Sequence, residues 1–489
     1  MVWVHDTRCG KPGGRVPSTH DGAMRTEPPS ARSGPAEFRS GPVPVLRGLL
    51  DRPLASYYLL LSSVGLLVLI GLVMVFSVTS VNAYATTGNA FTSIVRQALS
   101  AVVGLIAFWV CQRLPSRTFQ AISVPMLLGA FLLMAFVDLM GYLAARNTPD
   151  GAQIQPIRLG SVYVDDLWLH LGPLQLQPAE LTKIALVVWG ADLLVRKGRS
   201  ILRWRQLLMP LLPVAIALFL LVGYNDLGSM ICLVVLLTGL LWAAGAPARV
   251  FGWIGGLTAA GVIALILLPA GKDYRLDRIK VFFDPSEDPE AMYGRYQYLR
   301  GLWALANGGW FGVGLGEGHL KWGRLPNAHN DFIFAILAEE LGVVGCLVVL
   351  LLFGVLTYTG LRIARRVEDP FRRLVAAGIT IWFVGQAIIN IGGVVGLLPI
   401  TGLPLPFISD GGSALVVALA ASGMLTAAAR AEPDCARAMH ARPPRKWVRL
   451  LWAPLPPLPR ARSGSDGETP TTRTSGRPAR SGRTRGRST

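Results

Sequence analysis

Residues 56–79 read SYYLLLSSVGLLVLIGLVMVFSVT, an apolar stretch without a single charged side chain. A helix needs about 20 residues to cross the hydrocarbon core of a bilayer, so this stretch predicts a membrane-spanning helix. Comparable runs follow at 93–113, 119–142, 177–195, 207–223, 227–245, 250–270, 331–360, 374–398 and 407–429. The ten runs predict an all-α polytopic membrane protein.

The composition of the 489 residues supports this prediction. Hydrophobic residues make up 52% and charged residues 16%, with a mean hydropathy of +0.46. The net charge of +18 concentrates at the two ends, with +3 in residues 1–52 and +9 in residues 431–489. Both ends are rich in Arg, Pro, Gly and Ser, so we expect disordered basic tails flanking a membrane domain at 53–430.

Two other classes of protein are disfavoured by the same composition. No basic module interleaved with aromatic residues is present, so nothing indicates a nucleic-acid partner. The five cysteines have no paired spacing, which argues against a disulfide framework or a zinc site.

The loops between the runs differ in charge. Arg and Lys concentrate at 195–206 and 361–373, and the positive-inside rule places such loops in the cytoplasm. If both basic tails lie there too, the number of helices must be even, which ten satisfies. We therefore expect a multi-pass protein of the cell membrane with both termini cytoplasmic. The outer face then carries long loops at 143–176 and at 271–330, between helices 7 and 8, and loops of such length are usually functional.

The loop at 271–330 is unusually rich in cations for an outer loop. Its start, KDYRLDRIKVFFDPSEDP at 272–289, places four cations ahead of Asp284, Glu287 and Asp288. Cations bind a pyrophosphate leaving group, and a carboxylate takes the proton from an attacking hydroxyl. From these residues alone, a site for a reaction on a phosphorylated donor and a solvated loop with surface salt bridges fit equally well. The stretch GVGLGEG at 312–318 does not follow a strand and does not indicate a nucleotide site.

Several charges fall inside the apolar runs, where they are expensive and therefore informative. Glu180 and Lys183 are three residues apart, on one face of the fourth helix, and can neutralise each other. They are either a structural ion pair that pins the bundle or a border of the substrate cavity. Most of the other intramembrane charges are interpreted as structural; they are Arg96, Asp138, Asp192 and Asp226.

Four long motifs resemble those of the SEDS family (shape, elongation, division and sporulation proteins). They are LGPLQLQPAELTKIALVVWGADLL at 171–194, FDPSEDP at 283–289 followed by Tyr296-Gln297, GLGEGHLKWGRLPNAHNDFIFAILAEELGVVG at 314–345, and GLLPITGLPLPFISDGGSA at 396–414. They occur in the family's order, and the resemblance covers about residues 55–430. Further stretches are most similar to the actinobacterial division branch: VFSVTSVNAYA, QRLPSRT and DPFRRL with GQAIINIGGVVGLLPITGL.

The resemblance implies a SEDS-type fold and a peptidoglycan glycosyltransferase that polymerises lipid II at the division septum. The implied partners are a class B penicillin-binding protein and other divisome proteins. Asp288 matches the family's essential carboxylate, the general base for the acceptor hydroxyl. Arg275, Arg278 and Lys321 are candidates for holding pyrophosphate, with a divalent cation, Mg²⁺ or Mn²⁺, as an expected helper and no organic cofactor. The other residues matched to substrate-binding motifs are Trp168, Glu180, Lys183, Gln297, His329, Asp331 and Ser409.

The chain departs from the family pattern in several places. Residues 151–171 are longer and different, and Leu167 stands where an Arg is expected. The usual SYGG or SAGG reads Ser409-Asp410-Gly411-Gly412, which adds a carboxylate. Three alternatives to a septal polymerase stay open: a lipid II flippase, an inactive division scaffold, and a polymerase of the elongation branch.

Overall fold

The structure is a computed structural model that describes residues 52–147, 158–159, 162–165, 168–171, 174–267, 292–322, 325–441, 443 and 445–458. Each of the ten apolar runs corresponds to a helix in this part of the chain. These helices are α1 (Ala55–Thr87), α2 (Thr92–Arg113), α3 (Ser116–Arg146), α4 (Pro178–Lys197), α5 (Trp204–Asn225), α6 (Leu227–Ala243), α7 (Ala248–Leu267), α9 (Ile333–Arg366), α10 (Pro370–Val394) and α11 (Gly412–Arg430). A helix thus lies at each of the ten predicted runs, and the predicted helical fold is confirmed.

Seven helices of the described chain are long and apolar enough to cross a membrane: α1, α2, α3, α5, α9, α10 and α11. Helices α6 and α7 are apolar but contribute shorter candidate segments, Leu227–Ala243 and Ala248–Ile263. The remaining helix of the ten, α4, is not among these candidates and contains the buried charges Glu180, Lys183 and Asp192.

Helices α10 and α11 form the centre of the bundle. In the most apolar stretch of each of these two helices, 72% of the residues are buried, whereas the corresponding share in α2 and in α3 is 28%. The tightest pairing joins α2 to α11, and glycines permit it: a Cβ on Gly423 would meet the backbone oxygen of Phe108, and one on Gly104 would meet Leu419. Small residues at such contacts let helix backbones approach closely, which favours association within a bilayer.

A small antiparallel sheet interrupts the helical architecture between α3 and α4. Its strands are β1 (Arg158–Leu159), β2 (Val162–Asp165), β3 (Trp168–Leu171) and β4 (Leu174–Leu176), hydrogen-bonded in that order. The sheet was not predicted, because strands of two to four residues are too short to show a clear alternation of apolar and polar residues. In the described residues, this sheet is the feature that differs from the predicted all-α protein.

Two further segments differ from the sequence prediction. Helix α8 (Met292–Gly308) lies inside the predicted outer loop at 271–330. The predicted tail after residue 431 contains two described helices, α12 (Pro433–Ala441) and α13 (Lys446–Leu451), and after them a segment whose Ala453 and Pro456 are buried. This segment has an apolar surface to pack on at the ends of α1, α2 and α11. The predicted N-terminal tail up to residue 51, and the chain after 458, lie outside the described residues.

The packing of α2 on α11 generates a first prediction. Replacing Gly423 with Ala should force the two helices apart, at a cost of about 1–3 kcal/mol, because the new Cβ has backbone in its way. The melting temperature of the detergent-solubilised protein should fall by several degrees. Gly65→Ala on α1 is the matched control, since nothing lies within 4 Å of its Cβ position. Equal melting temperatures for the two variants would contradict this packing.

Candidate functional site

A groove of about 580 Å³ lies where the end of α1 meets the start of α2. Four stretches of chain form its walls: Val78, Thr79, Ala83 and Ala85 of α1, Ser93 and Arg96 of α2, Lys321, Trp322 and 325–329 of the loop before α9, and Asp410 just before α11. We call this feature the polar groove. It collects four segments that are far apart in sequence at one end of the bundle.

Four groups that bear or can bear charge line the polar groove: Arg96, Lys321, His329 and Asp410. Arg96 and His329 are exposed, and Asp410 is partly buried. Burial raises the pKa of the Asp410 carboxyl above its ordinary value, while His329 and Arg96 act in the opposite direction. No hydrogen bond or ion pair to this carboxylate is made by any described residue. The groove therefore presents polar groups that a ligand can engage.

Backbone and side-chain hydrogen bonds hold the floor of the groove in place. The hydroxyl of Ser409 donates to the carbonyl oxygen of Asn330 at 2.6 Å and accepts from the N–H of Leu405 at 2.7 Å. The N–H of Asp410 donates to the carbonyl oxygen of His329 at 2.9 Å. Three predicted site residues, Ser409, His329 and Asp331, thus lie on two segments that are fixed to each other.

Asn390 of α10 strengthens the same junction. Its amide nitrogen donates to the carbonyl oxygens of Asp331 at 2.8 Å and Leu403 at 2.7 Å. Gln297 of α8, buried like Asn390, donates to the carbonyl oxygen of Pro326 at 3.2 Å and so positions the segment that leads to His329. Sequence reasoning placed Gln297 among the substrate-binding residues, and the structure gives it this positioning contact.

Glu180 and Lys183 form an ion pair in the interior of the bundle. The ammonium of Lys183 lies 2.6 Å from Glu180 and donates to the amide oxygen of Gln386 at 3.0 Å. The Gln386 nitrogen in turn donates to the carbonyl oxygen of Pro404 at 2.7 Å. Both charged side chains are almost fully buried, and the network ties α4 to α10 and to the segment that carries Ser409. The geometry favours a structural ion pair close to the site.

Lys321 contacts the polar groove but has a partner of its own. Its ammonium lies 2.8 Å from Glu340 Oε1 and 3.1 Å from the hydroxyl of Ser77, which is itself 2.7 and 2.8 Å from the two Glu340 oxygens. The side chains of Lys321 and Glu340 are 1% and 0% exposed. The sequence prediction of Lys321 as a pyrophosphate ligand did not include this partner, which already neutralises its charge.

The neighbouring Glu339 holds the glycine-rich stretch. Its carboxylate accepts from the N–H groups of His319 at 3.1 Å and Leu320 at 3.4 Å. Gly342 breaks the helical path of α9 with a φ of 66°, and a Cβ there would meet the backbone of Trp310 and Gly312. The stretch that superficially resembles a nucleotide fingerprint is thus a loop folded against two buried glutamates.

The small sheet lies near the groove. His170 of β3 stacks on Tyr163 of β2 with ring centroids 4.3 Å apart. Burial lowers the pKa of His170; Asp165 raises it and Arg96 lowers it further. Trp168 pairs with Asp165 across β2 and β3 and is not among the residues that line the polar groove.

Three predicted site residues lie outside the described residues: Asp288, Arg275 and Arg278. No group of three or more potential metal ligands occurs in the described part of the chain, and the divalent cation stays a prediction. Of the intramembrane charges interpreted as structural, Asp192 accepts from Ser123 and pairs with Arg196, and Asp226 caps α6 through Ser229.

Sequence reasoning left two charged residues of the groove out of the site. Arg96 was grouped with the structural charges, and Asp410 was noted only as a departure from a motif. Both carried a usable signal: Arg96 is a cation near the start of an apolar helix, and Asp410 adds a carboxylate to a glycine motif. Their proximity to His329 becomes visible only in the fold.

Comparison with known proteins identifies what the chain is similar to. Residues 57–433 match the FtsW/RodA/SpoVE family, described as "cell cycle protein". The probable peptidoglycan glycosyltransferase FtsW of Mycobacterium tuberculosis is 41% identical over 408 residues, which cover 83% of this chain and 74% of that protein. Stage V sporulation protein E of Bacillus subtilis is 35% identical over 361 residues, 74% of this chain and 93% of that protein.

Solved structures show the same fold. A chain in a structure titled "Structural coordination of polymerization and crosslinking by a peptidoglycan synthase complex" superposes with a TM-score of 0.57 at 26% identity, covering 76% of this chain and 96% of that one. The rod shape determining protein RodA of Thermus thermophilus superposes with a TM-score of 0.51 at 25% identity, covering 76% and 95%. The resemblance inferred from the motifs is confirmed.

The buried contact between Lys321 and Glu340 generates a second prediction. Glu340→Gln should destabilise the protein by about 3–5 kcal/mol, because it leaves the Lys321 ammonium buried without its counter-charge. The double variant Lys321→Met/Glu340→Leu should recover more than half of the lost melting temperature, since it removes both charges. Glu317→Gln in the same loop is the control, because Glu317 is exposed. A Glu340→Gln variant as stable as that control would contradict the assigned ion pair.

Proposed function

The chain belongs to the FtsW/RodA/SpoVE family of cell cycle proteins, and from this membership we propose that it is a peptidoglycan glycosyltransferase that polymerises lipid II. The names of its relatives support the activity: the FtsW proteins of Mycobacterium bovis and Mycobacterium tuberculosis, each 41% identical, are called probable peptidoglycan glycosyltransferases. The similarity extends over most of the chain, including every segment that forms the polar groove.

One observation about the molecule carries the proposal. The polar groove presents Arg96, His329 and Asp410 beside helices that are long and apolar enough to lie in a membrane. Lipid II combines a long isoprenoid chain, an anionic pyrophosphate and polar sugars. A guanidinium suits the pyrophosphate, since arginine forms paired charge-assisted hydrogen bonds to phosphate. A carboxylate and an imidazole suit hydroxyl and amide groups of the sugars.

The proposed reaction needs a base and a stabilised leaving group. Asp288 takes the proton from the 4-hydroxyl of the acceptor sugar as that oxygen attacks the anomeric carbon of the donor. The bond from the anomeric carbon to the phosphate oxygen breaks, and the lipid pyrophosphate leaves with both electrons. Arg96, Arg275 and Arg278 stabilise its negative charge, and a divalent cation, Mg²⁺ or Mn²⁺, would offset the same charge when bound.

Partners and location follow from the same proposal. The solved structure whose title joins polymerisation and crosslinking in one peptidoglycan synthase complex supports a class B penicillin-binding protein as the partner. The similarity to FtsW proteins supports a septal location with other divisome proteins. The basic loops and tails support cytoplasmic termini.

The decisive experiment concerns Asp288. Purified protein with its penicillin-binding partner, lipid II and Mg²⁺ or Mn²⁺ should produce glycan strands, and Asp288→Ala should reduce the rate by about a hundredfold or more, the usual contribution of a general base. Asp284→Ala, in the same acidic cluster, should retain most of the activity. If Asp288→Ala polymerises lipid II as fast as the unaltered protein, the mechanism is wrong. Rescue of division in depleted cells by Asp288→Ala would point to a scaffold instead.

The polar groove yields a separate prediction. Arg96→Gln should lower kcat/KM for lipid II by about tenfold to a hundredfold, because a charge-assisted hydrogen bond to phosphate is lost. Arg113→Gln at the other end of the same helix should leave kcat/KM within about twofold, because Arg113 does not line the groove. Equal effects of the two substitutions would show that Arg96 acts only through general surface charge.

A further inference from the structure

A second cavity, of about 560 Å³, lies at the other end of α1 from the polar groove. Its walls come from the start of α1, the end of α11, and the two short helices α12 and α13. The residues on which its character depends are Tyr57, Arg430, Ala438, Met439, Val448 and Trp452. We call it the C-terminal cavity. No described residue of the polar groove lines it.

The segment after α13 closes this cavity and is fixed to three helices. The indole N–H of Trp452 donates to the hydroxyl oxygen of Tyr57 at 2.6 Å. The Trp452 carbonyl accepts from Gln112 of α2 at 3.4 Å, and its ring centroid lies 6.3 Å from that of Phe108. The cavity is therefore a built feature with a defined wall.

Arg430 supplies charge to the cavity. Its side chain is more than nine-tenths buried, and one nitrogen, Nη2, donates to the carbonyl oxygens of Pro454 at 2.6 Å and Ala453 at 3.3 Å. These bonds hold the guanidinium in a fixed plane. Among the described residues, none accepts a hydrogen bond from its Nε or Nη1. Tyr57 accepts from Trp452 and so keeps its own hydroxyl proton to donate.

The surroundings of the cavity are those of a membrane boundary. The candidate spans Ala55–Ser80 and Gly412–Arg430 begin and end here. Tyr58 is 61% exposed and Trp447 59% exposed, as is typical of aromatic side chains at the level of lipid headgroups. Between residues 430 and 449 the chain has five Arg and one Lys against one Glu and one Asp. Such an excess of positive charge attracts anionic lipids.

We propose that the C-terminal cavity binds the headgroup of an anionic phospholipid. The phosphate accepts hydrogen bonds from the free nitrogens of Arg430 and from the Tyr57 hydroxyl. The first carbons of the acyl chains lie against Met439 and Val448. The lipid thereby links the C-terminal segment to α1 and α11, and this binding site is independent of the polymerase chemistry at the polar groove.

The experiment measures lipid preference on the full-length chain in detergent. Thermal melting and native mass spectrometry follow the addition of dioleoylphosphatidylglycerol, dioleoylphosphatidylcholine or inorganic phosphate. The expected result is apparent binding of the anionic lipid about tenfold or more tighter than that of the zwitterionic one, because both lipids offer a phosphate but the choline cation of the zwitterionic one is repelled by Arg430 and the basic residues around it. Inorganic phosphate should produce no shift, because it leaves the apolar walls unused. Equal stabilisation by the two lipids, or a full effect of phosphate alone, would overturn the proposal.

Matched variants test whether the cavity itself is responsible. Ala438→Trp fills it without changing charge, and Arg430→Gln removes its cation; each should abolish the preference for the anionic lipid. Arg437→Gln removes an exposed cation of α12, the helix of Ala438; Arg437 pairs with Asp434 and does not line the cavity, so this variant should keep the preference. If Ala438→Trp folds poorly, the comparison of lipid preference between Arg430→Gln and Arg437→Gln decides. Equal losses in those two variants would mean that only surface charge attracts the lipid.

Discussion

The ion pair between Lys183 and Glu180 connects the interior of the bundle to the polar groove. A buried ammonium is tolerated only where a counter-charge and hydrogen-bond acceptors surround it, and here Glu180 and Gln386 supply both. Gln386 accepts a hydrogen bond from Lys183 and donates one to the carbonyl oxygen of Pro404. The buried charge therefore fixes the position of the segment that leads to Ser409 and Asp410. The shape of the groove thus depends on the buried Lys183 ammonium, which does not line the groove itself.

The same logic separates structural from available charges across the described chain. Lys321 is buried against Glu340 and Ser77, which fixes one wall of the groove. Arg96 and Asp410 line the groove, and neither side chain forms an ion pair with a described residue. A rigid shell of satisfied charges around a few unsatisfied ones is the arrangement that preorganises a site for a polar ligand.

The sequence predicted the ten helices because the bilayer sets their length and composition, and those are local properties. It did not predict the sheet before α4, whose strands are too short for a pattern, or the docking of Trp452 on Tyr57, which are 395 residues apart. For the site, motifs singled out Ser409 and His329, whose segments the fold joins by hydrogen bonds. They did not reveal that Lys321 pairs with Glu340, because charge pairing of distant residues follows from the fold. Asp288 rests on the family motif alone, since it lies outside the described residues.

The central claim is that the polar groove holds the lipid-linked substrate. A photoreactive benzoylphenylalanine in place of Trp322, which lines the groove and is 58% exposed, tests it directly. With radiolabelled lipid II, illumination should attach the label to this variant and not to one with the same residue in place of Trp253, which is equally exposed at 58% and lines neither the polar groove nor the C-terminal cavity. Equal labelling of the two variants, or none at Trp322, would contradict the assignment of the groove.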